Sequence, residues 1–148
     1  MPVQLRRTLL TAGAALLLPL ALSAQAPMSD ADYMALGRKY FDWFIAAEAD
    51  SLLAHMSPEA RENAGGVDGV TKAATDFIGR AGLESELVEE RMTRRRGNPQ
   101  YWREARYTTF VDEPLVFRWV FNDKGEILGL GMGPKSRTPA PDSTATGS

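Results

Sequence analysis

At Gly82 the apolar residues of this chain change their spacing, from one in every three or four positions to one in every two. A helix buries a stripe and a strand buries alternate positions, so the two periods in succession segregate helices from strands. That is the α+β class, with N-terminal helices packed on a curved antiparallel four-stranded meander. Before Gly82, Ser29 and Asp32 make a capping-box-like start, and Tyr33, Leu36, Tyr40, Phe44 and Ala47 recur at helical spacing. A short piece spans 52–56. Ser57-Pro58 then opens another turn with proline at its tolerated first position, and Gly65-Gly66 ends it. The next helix runs over 67–81, with Val67, Val70, Ala74, Phe77, Ile78 and Ala81 on one face and Gly82 as its C-cap glycine.

Beyond Gly82, strands are expected over 86–95 and 100–111 around Gly97-Asn98, and over 115–121 and 126–133 around Asn122-Asp123-Lys124-Gly125. A two-residue Gly97-Asn98 loop sets Arg91 opposite Glu104 and Glu89 opposite Arg106, on a face read as solvated. Val88, Glu90, Met92, Arg103, Ala105 and Tyr107 then turn towards the helices, and Glu90 and Arg103 are expected close enough to interact. A three-residue Asp123-Lys124-Gly125 loop pairs Phe121 with Ile127 and Trp119 with Gly129. Leu115, Phe117, Trp119, Phe121 and Ile127 share one face; Val116, Arg118, Val120, Leu128, Leu130 and Met132 share the other. The second set is mostly apolar and points away from the helices. It is therefore expected to pair with a second copy, as a homodimer through the sheet, or to take a secreted partner protein.

The two ends read differently from the middle. Arg6 and Arg7 precede an apolar run over 9–22, and Ala24-Gln25-Ala26 offers small residues for cleavage. Residues 1–26 are thus expected to be a signal peptide, too short in apolar length for a membrane anchor. The protein is expected to be periplasmic or secreted, with no membrane association after cleavage. Residues 27–133 form one domain, and 134–148, rich in Pro, Ser, Thr and Ala, are expected to be a disordered tail. Removing the signal leaves 15 basic against 19 acidic residues, a net charge of −4. An acidic chain gives no attraction to phosphate backbones, which argues against nucleic acid as a partner. The absence of cysteine excludes a disulfide scaffold, a Cys-ligated zinc site and a thiol nucleophile.

Tyr40-Phe41-Asp42-Trp43-Phe44 in the opening helix and Phe121-Asn122-Asp123-Lys124-Gly125-Glu126-Ile127-Leu128-Gly129 in the last hairpin carry a resemblance. The chain resembles the nuclear transport factor 2-like (cystatin-like, SnoaL-like) superfamily of α+β cones, in its extracytoplasmic branch of unknown function. The likeness spans residues 30–133. It implies a pocket between the helices and the concave sheet, and often a dimer through the sheet. Members include isomerases, hydrolases and pure binding or association modules, so the fold alone does not give the activity.

His55 is the only histidine, so any His-dependent metal or nucleophile site would have to include it, and no nucleophile motif lies nearby. It reads as a surface or cap residue. Arg94-Arg95-Arg96 reads as a solvated turn. Enzymes of the cone that move protons use a pocket carboxylate with a tyrosine donor, and Glu90 with Tyr40 or Tyr107 is the candidate pair. Arg103 beside Glu90 would hold that carboxylate ionised and weaken it as a base. The expected function is therefore an exported, non-catalytic module that binds a small, partly apolar ligand or another protein, with no cofactor, no metal and no catalytic residue assigned. Tyr40, Trp43, Glu90, Arg103, Tyr107 and Trp119 are the expected ligand-binding residues. The alternative is a small isomerase- or hydratase-type enzyme using Glu90.

Overall fold

The computed structural model describes residues 26–142; most of the expected signal segment and the end of the expected tail lie outside the described residues. Four helices come first: α1 (Asp30–Ile45), α2 (Ala49–Leu53), α3 (Pro58–Asn63) and α4 (Gly66–Ala81). Four strands follow: β1 (Glu84–Arg95), β2 (Asn98–Tyr107), β3 (Leu115–Phe121) and β4 (Ile127–Pro134). They form one antiparallel sheet in the order β1-β2-β3-β4. The fold is α+β, with the helices packed on one side of a curved, open meander. Among the described residues no helix is long and apolar enough to cross a membrane.

The helix signals act as sequence chemistry requires. The Ser29 hydroxyl accepts the Asp32 amide, and the Asp32 carboxylate accepts the Ser29 amide, which closes the capping box of α1. Pro58 sits in the first turn of α3 behind the Ser57 cap. Helix α1 approaches β2 closely at Gly37, where a Cβ would overlap the buried Tyr101 ring. The core between helices and sheet is aromatic, centred on Tyr40, Phe44, Phe117, Trp119 and Phe121.

The first hairpin turns one residue earlier than expected. Arg96 and Gly97 both take positive φ (51° and 80°), as a two-residue hairpin turn of this twist demands, and Asn98 already belongs to β2. The pairing therefore slips by two residues. Arg91 stands opposite Trp102 instead of Glu104, and Glu89 opposite Glu104 instead of Arg106. A slip of two leaves the faces of the paired residues unchanged. Glu90 and Arg103 remain on the helix side and become directly opposed. Two register shifts, after Glu84 and after Leu87, bend the outer part of β1.

The second hairpin departs further. Phe121 pairs with Ile127, but Val120 then pairs with Gly129, so Leu128 is an extra residue, a β-bulge. Trp119 consequently faces Leu130, not Gly129, and Phe117 faces Met132. Leu130 and Met132 leave the outer face on which the sequence placed them, and Gly129, Gly131 and Gly133 take their places. Val116 is fully buried. The contiguous apolar patch that motivated sheet-to-sheet dimerisation does not form.

The outer face is also not the solvated surface the sequence suggested. Thr93, Gln100, Trp102 and Glu104 are all buried there. The segment after β4, which includes a 3-10 turn at Lys135–Arg137, is anchored to this sheet at both ends. It leaves the sheet where Pro134 pairs with Leu115, and the Lys135 ammonium donates to Glu104 at 2.7 Å. Ser136 donates through its amide and hydroxyl to Glu113. At the far end of β2 the Asp142 amide donates to the Arg94 carbonyl, and the Asp142 carboxylate accepts the Gly97 amide at 3.0 Å. Residues 135–142 thus cross the sheet as a strap. Composition points to disorder beyond Gly133, but these anchors are backbone groups and single polar side chains, which a hydrophobicity argument does not register.

Candidate binding site

Aromatic rings fill the centre of the space between the helices and the sheet. Trp119 is fully buried, with ring centroids 4.9 Å from Phe117, 6.2 Å from Phe44 and 6.4 Å from Tyr40. Trp43 is half-buried at the rim, stacked on Tyr40 at 5.6 Å with the Lys39 ammonium 4.5 Å above it. His55 belongs to this rim as well. Its Nδ1 donates to the Ser51 carbonyl at 2.9 Å and its ring lies 5.2 Å from Trp43. Tyr107 packs edge-on against Phe77, 5.4 Å away, and burial raises its hydroxyl pKa above the ordinary tyrosine value. Of the six expected ligand-binding residues, Tyr40, Trp43 and Trp119 share this packed core. Tyr107 lies apart from them, and Glu90 and Arg103 form a separate cluster.

In that cluster every acceptor is occupied. Glu90 accepts from Arg38 Nε at 2.8 Å, from the Tyr101 hydroxyl at 2.5 Å and from Arg103 at 3.2 Å. Arg103 donates two further bonds to Glu84, at 2.6 and 3.0 Å, and lies over the Phe41 ring. Burial alone would push the Glu90 carboxyl up. The bonds from Arg38 and Tyr101, with the charges of Arg38 and Arg103, outweigh it and leave the carboxyl below its ordinary value. A base poised for proton transfer near neutrality needs the opposite shift. The cluster instead ties α1 to β1 and β2. Arg38 and Tyr101 were missed from sequence: Arg38 lies on the polar side of α1, and only the register brings Tyr101 beside Glu90.

Open space remains beside this packed centre, between α3, α4 and β4 and bordered by Phe44 and Trp119. A cavity of about 620 Å³ is lined by Phe44, Val70, Ala73, Trp119, Leu130 and Met132 among others, and Asn63 and Arg118 supply polar groups at its margin. A second, of about 400 Å³, continues past Ala73 and Met132 to Phe77, Phe110, Leu115 and Pro134. Together they make one apolar groove beside the sheet edge. The bulge at Leu128 creates it, because it turns Leu130 and Met132 inward from the strand that borders it. Leu128, Leu130 and Met132 remain 38%, 36% and 36% exposed.

Strand β4 is itself an open edge. Its first residue is tied to the chain before α3: the Ile127 amide donates to the His55 carbonyl, and its carbonyl accepts the Ser57 amide. From Leu128 onward its strand partner among the described residues is β3 alone. Its sequence, Ile-Leu-Gly-Leu-Gly-Met-Gly-Pro, carries no charge. The opposite edge, β1, carries Glu84, Glu86, Glu89, Glu90, Arg91, Arg94 and Arg95 and two register shifts. Charges and bulges are how edge strands resist pairing with other chains. Here β1 is guarded along its length and β4, past its bulge, is not.

On the outer face beside this edge stands Arg118. Its guanidinium lies over Gly131, where a Cβ would overlap it. Its Nε is buried without a hydrogen-bond partner. Burial, and then the nearby Arg95 charge, lower its pKa. Sequence patterning lost this residue among the apolar side chains of the expected dimer face. Comparison of the chain with protein-family models, with curated proteins and with solved structures gives no match, so the functional reading rests on these residues themselves.

Proposed function

We propose that this is an exported, non-catalytic association module that takes an extended segment of another protein alongside β4, into the groove against α4. One observation carries the reading: an uncharged sheet edge, open from Leu128 onward among the described residues, borders an apolar groove while the other edge is guarded by charge. Strand addition uses such an edge, with main-chain hydrogen bonds giving affinity and pockets for alternate side chains giving selectivity. The saturated Glu90 counts against the isomerase or hydratase alternative. Export is inferred from the charged and apolar start of the chain. The resemblance to the nuclear transport factor 2-like cones belongs to the same proposal, supported by the helices-on-meander arrangement.

A small apolar ligand is the second reading, favoured by a groove volume within the usual range of about 300–1,000 Å³ for such sites. A display library of random twelve-residue peptides panned on the immobilised protein tests the first. Peptides with alternating apolar residues should be enriched on the wild type and lost on Leu130→Lys, whose fold is checked by circular dichroism. No enrichment, or enrichment that Leu130→Lys leaves intact, would overturn strand addition.

A further inference from the structure

We infer that the segment received by β4 carries an acidic side chain, placed beside Arg118 between two apolar side chains that enter the groove. The inference rests on strand addition at β4 and names its partner's chemistry.

A strand laid beside β4 runs about 4.8 Å from it and sends successive side chains to opposite faces. Those turned towards α4 meet Leu130, Met132 and Ala73 and must be apolar. Those turned outward stand beside Gly129, Gly131 and Gly133, which present no side chains of their own. On the same outer face a row runs from Arg91 on β1 through the buried Trp102 and Arg118 to Gly131. The Arg91 guanidinium stacks 5.2 Å from the Trp102 ring and pairs with Glu89 at 3.0 Å. Arg118 has no such acid among the described residues, although its guanidinium extends over the outermost strand. A partly buried cation without a counter-charge bears a desolvation cost that nothing among the described residues offsets. A carboxylate on an added strand, opposite or diagonal to Gly131, lies within its reach, and the guanidinium fork suits it.

The same charge argues for an acidic partner over a second copy of this chain. Antiparallel pairing of β4 with its own copy near Gly131 would bring two Arg118 guanidinium groups together across the two-fold axis. Like charges so placed oppose association.

The test uses the peptide library on the folded protein. Glutamate or aspartate should be enriched at one position, with apolar residues on both sides of it. A selected peptide and its Glu→Gln counterpart are then titrated by fluorescence anisotropy against wild type and Arg118→Gln. On the wild type the Gln peptide should bind on the order of ten-fold more weakly, as expected for a lost charge-assisted bond. On Arg118→Gln the two peptides should bind alike, and equal binding of the Gln peptide to both proteins shows that the variant is folded. Enriched peptides without an acid, or equal binding of both peptides to the wild type, would end the inference about Arg118 and leave strand addition standing. No enrichment at all would end both. Sedimentation of a wild-type dimer that Leu130→Lys dissociates, with no peptide displacing it, would make a second copy the occupant and overturn the proposal.

Discussion

Ending the chain at Pro134 removes the strap, and the consequence can be worked out from Glu104. This carboxylate is 1% exposed, its second oxygen has no partner, and it stands directly opposite Glu89. Lys135 is the cation that reaches it. Stripping one partner from a buried ion pair costs about 3–5 kcal/mol when the remaining charge stays buried. The Lys135 side chain is 55% exposed, and loss of the strap admits water, so solvent screening reduces this to about 1–3 kcal/mol. For a domain of this size that is a fall of roughly 3–15 °C in melting temperature, read by calorimetry. A second substitution isolates the cause. Glu104→Gln should destabilise the full chain but recover part of the loss in the truncated one, because the uncompensated charge is then gone. A melting temperature within 2 °C of the full chain after truncation, or a Glu104→Gln effect of equal sign and size in both backgrounds, would refute the reasoning.

The other predictions concern the helix-to-sheet contacts. A double-mutant cycle of Glu90→Ala and Arg103→Ala in urea should give a coupling of about 0.5–3 kcal/mol, since the two share one bonded cluster, and additive effects would contradict it. The Glu90 carboxyl titrates below its ordinary value of 4.5, so the unfolded chain takes up this proton first. Its contribution to stability is therefore complete above pH 4.5 and lost as the pH falls through the lower folded value. Glu90→Gln should show a shallower acid slope than wild type in urea melts over that window, and parallel slopes would count against it. Gly37→Ala should destabilise by about 1–3 kcal/mol in thermal melts, because its Cβ has no room against the buried Tyr101 ring; an unchanged melting temperature would mean that α1 can shift.

Much of the helical half is legible in the sequence because its signals are local. The Ser29–Asp32 box, the 3.6-residue stripe through Tyr40 and Phe44, and the glycine at 82 each act within a turn or two of chain. The change of period at Gly82 separates helices from strands for the same reason. Opposition of Glu90 and Arg103 was near reach, since an error of two residues in the turn preserves the face. The open site was not legible. From Leu128 to Gly133 large apolar residues alternate with glycines, so a register shifted by one residue looks equally acceptable to any pattern argument. Only the three-dimensional demand for side chains against Trp119 and Phe117 selects the bulged pairing. The strap escaped for a different reason: its hold on the sheet is made of Lys135, Ser136 and Asp142, and no apolar period marks it.

That one bulge also explains why the two halves of the proposed site occur together. Without the extra residue at Leu128, Arg118 would stand opposite Leu130, whose side chain would occupy the surface on which the guanidinium now rests. Gly129 and Gly131 would instead face the helices, and the groove would lose its inner apolar wall. With the bulge, Leu130 and Met132 line the groove and Gly131 lies under Arg118. An apolar channel on one face of an open strand and an unpaired cation on the other are thus one structural event, not two. A chain that adds to this edge meets both at successive residues, because strand geometry alternates its side chains between the same two faces. The glycines of β4 fit this arrangement as the residues that keep the outer shelf clear for that cation.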